Sequence, residues 1–159
     1  MSTETTYVIV PASVLDMPVV RDLFLEYSRT LGVDLCFQNF SGELEGLPGD
    51  YAPPAGRVLL ARFGTRAAGC VAVRPLADGA CEMKRLYVQP DFRNHKVGLA
   101  LILTAITEAR HIGYQRMRLD TLPGMERAIA LYRSLGFREI EPYYPNPVPG
   151  ALFLELDLR

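Results

Sequence analysis

Residues 97–112, VGLALILTAITEARHI, constrain the fold more than any other stretch. At helical spacing Ala100, Leu101, Thr104, Ala105, Ala109 and Ile112 fall on one side, and Leu99, Ile102, Leu103 and Ile106 widen that stripe over most of the circumference. Gly113 supplies a stop. Thr107, Glu108 and Arg110 interrupt the run well before it reaches the ~18 apolar residues of a membrane span. A helix with so little polar surface has to be covered, and a sheet can cover it.

The sequence supplies the strands. RVLLARF from Arg57, AAGCVAVRPL and CEMKRLYV are separated by turns at Gly64–Thr65 and Asp78–Gly79, which predicts a meander of three antiparallel strands. Before it, Tyr7–Val10 reads as a strand ended by Pro11, and Asp16 with Pro18 opens a helix that runs through Val19, Val20, Leu23, Phe24 and Tyr27 to Gly32. Residues 34–54 are turn-rich, with a short helical stretch over Ser41–Leu47. After the long helix come the strand RMRL, a helix from Met125 to Leu135 closed by Gly136, and a terminal strand in ALFLELDL. Strand, helices, three strands, helix, strand, helix and two strands make a mixed α/β sandwich around one sheet, and 159 residues fit one domain spanning 1–159.

Seventeen Lys and Arg against eighteen Asp and Glu leave no overall field to draw the chain to nucleic acid or to an anionic membrane, so any anion site must be local. The start MSTETTYVIV has neither the basic region nor the cleavage pattern of a signal peptide, and a cytoplasmic protein is expected. Cys36, Cys70 and Cys81 form no CxxC pair and read as reduced thiols. With His95 and His111 the sole histidines and no HExxH, no metal site is expected. The same scarcity argues against a Cys-His nucleophile.

One stretch reads either as a local anion site or as a solvated basic turn. RNHKVG at 93–98 lies between the strand run LYV and the long helix. A helix start presents unpaired amides and positive dipole, Arg93 and Lys96 add charge, Asn94 tolerates a tight turn, and Gly98 leaves room for close approach. Neither GxxxxGK[ST] nor GxGxxG occurs. The run LYVQPDFRNHKVGLAL closely resembles the cofactor segment of the GNAT superfamily of N-acetyltransferases, with its Arg/Gln-x-x-Gly-x-Gly/Ala loop, and AIALYRSLGF at 128–137 resembles that superfamily's later ALY-x-x-x-GF helix end. Both lie at a compatible separation, and the likeness spans essentially the whole chain.

The resemblance implies a GNAT-like, mostly antiparallel central sheet flanked by helices. It implies acetyl-CoA as co-substrate, its pantetheine arm paired along Leu86, Tyr87 and Val88 and its pyrophosphate cradled by Arg93, Asn94, His95, Lys96, Val97 and Gly98. It also implies Glu82 as a general base, directly or through water, and Tyr132 as the acid that protonates the departing thiolate. Glu82 lies six residues before Val88, so a regular strand puts both on one face; pairing of Glu82 with Lys84 or another cation is the alternative. Tyr132 is otherwise a core tyrosine with a satisfied hydroxyl. The family pattern has glycine where Lys96 stands; left-handed backbone would cost a lysine roughly 1–2 kcal/mol, which predicts an ordinary helical conformation there. The family often has asparagine where Met125 stands, seven positions before the tyrosine.

Acceptor specificity in this fold is implied to reside in LCFQNFSGELEG and PYYPNPVPG, which offer Phe37, Gln38, Tyr143, Tyr144 and Asn146. Glu43, Glu45 and Asp50 suit a cation, Arg133 and Arg138 a carboxylate, and Asp120 either an acceptor or the cap of the next turn. The resulting expectation is direct acetyl transfer to the amine of a small molecule or amino-acid-like acceptor. A protein N-terminal or lysine acetyltransferase and a non-catalytic coenzyme A sensor are the alternatives. Exposed sheet edges make a homodimer the expected assembly.

Overall fold

The computed structural model describes residues 6–32, 34–35 and 38–159. Seven strands, β1 (Val8–Pro11), β2 (Arg57–Phe63), β3 (Arg66–Pro75), β4 (Ala80–Val88), β5 (Arg116–Thr121), β6 (Arg138–Ile140) and β7 (Leu152–Asp157), form one sheet in the order β1-β2-β3-β4-β5-β7-β6. Every pairing is antiparallel except β4 with β5. Four α-helices accompany it: α1 (Met17–Leu31), α2 (Phe40–Glu45), α3 (Val97–Ile112) and α4 (Glu126–Ser134). The predicted architecture forms, down to the termini of α3. No helix among the described residues is long and apolar enough to cross a membrane.

Alternation along the meander divides the core. Leu59, Ala61, Val71 and Val73 pack with Leu101, Ile102, Ala105 and Ala109 of α3, whereas Val58, Leu60, Cys70 and Ala72 pack with Val20, Leu23 and Phe24 of α1. The sheet is therefore greasy on both faces, as a two-sided sandwich demands. Leu101 and Ile102 are fully buried, each worth about 1.5–3 kcal/mol relative to exposure. The outermost part of the wide α3 stripe meets water: Leu103 is exposed.

Two departures from regularity shape the site. First, Cys70 pairs with Tyr87 and Ala72 with Lys84, so β4 carries an extra residue opposite β3, and Arg85 adopts φ 62°. This bulge reverses the strand's parity. Cys81 and Met83 belong to the α3-side core, and so does Val88; Glu82 therefore faces the other way from Val88, contrary to the expectation from even spacing. Second, β4 and β5 pair only over Ala80–Glu82 with Arg116–Arg118. Beyond Glu82 the two strands diverge into a wedge.

Lys96 corrects another expectation. It sits at φ 56°, ψ 29°, left-handed, between a 3-10 turn over Pro90–His95 and the first residue of α3. The chain has to reverse sharply here to bring α3 back across the sheet, so the geometry a glycine would favour persists although lysine fills it. Lys96→Gly relieves roughly 1–2 kcal/mol of strain and forfeits about 0.5–1 kcal/mol of backbone entropy, so a net gain of roughly 0.5–1 kcal/mol in chemical denaturation is expected.

Candidate active site

The wedge is lined from four directions. Met83, Lys84, Arg85 and Leu86 of β4 face Leu119, Asp120 and Thr121 of β5; Tyr27 and Leu31 of α1 with Leu35 and Gln38 cover one side; Met125, Tyr132 and Asn146 close the rest. Leu86, Tyr87 and Val88 lie beyond the last β5 partner, so their β5-facing backbone is free of strand pairing. At the wide end lies the start of α3. No side chain caps it, and its first intrahelical acceptor is the Lys96 carbonyl, taken by the Ala100 amide at 3.1 Å. The amides before Ala100 in that turn are open to an anion.

Of the 93–98 loop, Arg93, Asn94 and Lys96 are exposed and Val97 is buried. Arg93 is tethered: its Nε donates to the Val88 carbonyl at 2.9 Å and its guanidinium lies over the Tyr87 ring. His95 packs against Phe63, and its carbonyl accepts from the Tyr7 hydroxyl at 3.1 Å, so the loop is fastened to the sheet from below. A side chain at Gly98 would meet nothing closer than Val88 Cγ2 at 4.0 Å. Nothing within the protein demands that glycine, and the space above it is open.

Tyr132, on α4, is buried in the α3-side core beside Phe137 and lines the wedge. Its hydroxyl makes no hydrogen bond among the described residues, so the satisfied core tyrosine is not what the structure contains. Burial raises its pKa, with Tyr27 and Asp120 pushing the same way, and the phenol stays protonated. Cys70 and Cys81 are buried, and burial pushes the Cys81 thiol up to about 12 and the Cys70 thiol higher still. Both are poor nucleophiles.

The α1-side face carries a charged floor. Glu82, 1% exposed, accepts from Arg74 Nε at 2.8 Å and from the Tyr143 hydroxyl at 2.5 Å, with Lys84 Nζ at 3.8 Å. The ion-paired alternative for Glu82 is thus realised, mainly with Arg74, and Glu82 does not line the wedge. Arg85 holds Glu43 through two bonds of 2.8 and 3.0 Å and Gln38 through a third of 2.8 Å, and it lies against Phe40. Those contacts keep a non-glycine residue in left-handed backbone. Asp120 accepts from the Tyr144 hydroxyl and from Asn146 Nδ2 at 3.0 Å rather than capping the following turn.

Of the anticipated acceptor residues, the structure brings Gln38, Tyr144 and Asn146 together around Asp120, with Gln38 Nε2 donating to the Tyr144 hydroxyl at 3.1 Å. Tyr143 instead reaches Glu82. Phe37 and Cys36 lie outside the described residues. Arg133 pairs with Glu139 on the exposed surface and Arg138 faces solvent, so neither meets the wedge; Glu43 is already taken by Arg85. Sequence reasoning passed over Lys84 and Arg85 as site residues. The signal was present: two adjacent cations inside CEMKRLYV, a strand otherwise greasy and central.

Residues 20–137 match the acetyltransferase (GNAT) family. The chain belongs to that family. GNAT relatives include an uncharacterized N-acetyltransferase of Schizosaccharomyces pombe, 44% identical over 90% of this chain and 89% of its own. A GNAT-family acetyltransferase of Staphylococcus aureus shares the fold at TM-score 0.80, with 19% identity, covering 97% of this chain and 100% of the other. A Salmonella typhimurium protein solved with its cofactor acetyl-CoA superposes at TM-score 0.67, with 20% identity, covering 96% and 94% of the two chains. The sheet shared with these proteins is therefore the frame in which the wedge sits.

Proposed function

We propose that this GNAT protein transfers the acetyl group of acetyl-CoA directly to the amine of a small-molecule or amino-acid-like acceptor. The observation that carries this reading is the wedge itself: an unpaired strand edge that runs from a cleft lined by Tyr132, whose hydroxyl has no partner among the described residues, toward the uncapped start of α3. The edge at Leu86–Val88 suits an extended amide-bearing arm, and the first turn of α3 with Arg93 and Lys96 suits a diphosphate. Acetyl-CoA supplies an activated thioester when bound.

An attacking amine must be neutral, so a carboxylate has to take its proton. Two candidates share the α1-side face. Glu82, the base implied by resemblance, is engaged by Arg74 and Lys84 and is set back from the cleft. Asp120 lines the cleft, and its partners Tyr144 and Asn146 are neutral. In this proposal Asp120 receives the proton and Glu82 positions Lys84, while Tyr132 gives its phenolic proton to the departing sulfur. Most of the rate gain comes from holding amine and thioester in line.

The test is thiol release from acetyl-CoA over a panel of amines, with thermal melting in saturating acetyl-CoA. Stabilisation near 2.7 kcal/mol is expected at about 100-fold excess over Kd, together with amine-dependent release. Absence of both removes the proposal.

A further inference from the structure

Six ionisable side chains crowd the floor beneath the acceptor loops: Glu43, Arg74, Glu82, Lys84, Arg85 and Asp120. Four of them neutralise one another at hydrogen-bonding distance, Glu82 with Arg74 at 2.8 Å and Glu43 with Arg85 at 2.8 Å. Two remain. Lys84 Nζ makes no hydrogen bond among the described residues, its nearest carboxylate oxygen being that of Glu82 at 3.8 Å. Asp120 has hydrogen bonds from Tyr144 and Asn146 but no ion pair among the described residues.

The two line the same cavity, of about 50 Å³, with room for a few waters or one small polar head group. The Lys84 side chain is 3% exposed. Burial disfavours its charge, pulling its pKa down against the opposing effect of Glu82. A buried ammonium without a hydrogen-bonded counterion is costly to keep, and an incoming anion would repay that cost.

We infer that the acceptor is a free amino acid or similar zwitterion, its amino group held by Asp120 and its carboxylate by Lys84. This rests on the acetyltransferase reading and adds the acceptor's class. A lone amine would leave Lys84 with only the distant Glu82 carboxylate at 3.8 Å, and a peptide or protein N-terminus would offer it a neutral amide in place of a charge. The bonds that Asp120 accepts from Tyr144 and Asn146, and that Tyr144 accepts from Gln38, tie the acceptor's amino end to both loops above the floor.

The experiment uses matched triplets: each proteinogenic amino acid, its amide, and its decarboxylated amine, assayed for thiol release with saturating acetyl-CoA in wild-type protein and in Lys84→Met. For the preferred side chain, the free acid is expected to have a KM roughly ten- to hundredfold below those of its amide and amine. Lys84→Met is expected to raise the free acid's KM to the level of the amine and so to erase the preference among the three compounds. Equal use of all three compounds by wild type, preference for the amine, or an equal loss for all three in the variant overturns the inference. If no compound releases thiol, the acetyltransferase reading is what has failed. Calorimetric titration of the same triplets into wild-type protein saturated with coenzyme A then decides the inference alone: selective binding of the free acid supports it, and indifferent, absent or amine-selective binding sinks it.

Discussion

Tyr132→Phe is expected to bind acetyl-CoA as wild type does and to lose roughly 10²- to 10³-fold in kcat, the range of a positioned acid. The substitution deletes a hydroxyl that bonds to nothing among the described residues and leaves the ring against Phe137, so packing is preserved and stability changes little. The thermal shift with acetyl-CoA should therefore match wild type while thiol release collapses. The pH profile adds a second check. A general acid works while protonated, and its contribution falls as pH rises through its pKa. Burial holds the Tyr132 phenol above its ordinary value, so wild-type kcat should show no alkaline loss from this group below about pH 10. A variant within twofold of wild type would exclude Tyr132 as the acid.

Arg85→Met is expected to cost about 3 kcal/mol, or a melting temperature lower by roughly 6–12 °C. Arg85 is buried, its side chain 2% exposed, and it neutralises Glu43, itself 11% exposed, through two bonds. Removing the guanidinium strands a nearly buried carboxylate whose remaining donor is the Tyr51 hydroxyl at 2.9 Å. Methionine keeps much of the contact with Tyr27 and Phe40, so the loss reports charge rather than volume. The double variant Glu43→Leu with Arg85→Met should recover most of the deficit, because the stranded charge goes with its partner. Urea denaturation of the four proteins measures the coupling, and additive losses would show that the pair does not act as a unit.

The sequence exposed what depends on local pattern. The ends of α3 at Val97 and Ile112 were legible because apolar periodicity stops where Gly113 allows the chain to turn, and the meander was legible from runs of β-branched residues between turn signals. The anion loop was legible from charge beside a helix start. Parity along β4 was not. The bulge falls at Arg85, and no glycine or asparagine announces it; its left-handed backbone is held by Glu43 and Gln38, which arrive from more than forty residues away. Lys96 misled for a related reason: lysine disfavours the conformation locally, and the fastening of His95 to Tyr7 and the return of α3 across the sheet override it. Which carboxylate stands free on the floor is likewise a tertiary outcome, settled by Arg74 choosing Glu82 and by the last loop reaching Asp120.

An unpaired strand edge is normally an aggregation hazard, because a strand from any neighbouring molecule can zip onto it. Here such an edge lies in the middle of the sheet at Leu86–Val88, with residues of α1, α4 and the last loop lining the cleft beside it. A foreign strand would have to enter between β4 and β5, which are already joined over Ala80–Glu82. An edge enclosed within its own sheet is thus shielded from lateral pairing in a way that the outer edges β1 and β6 are not.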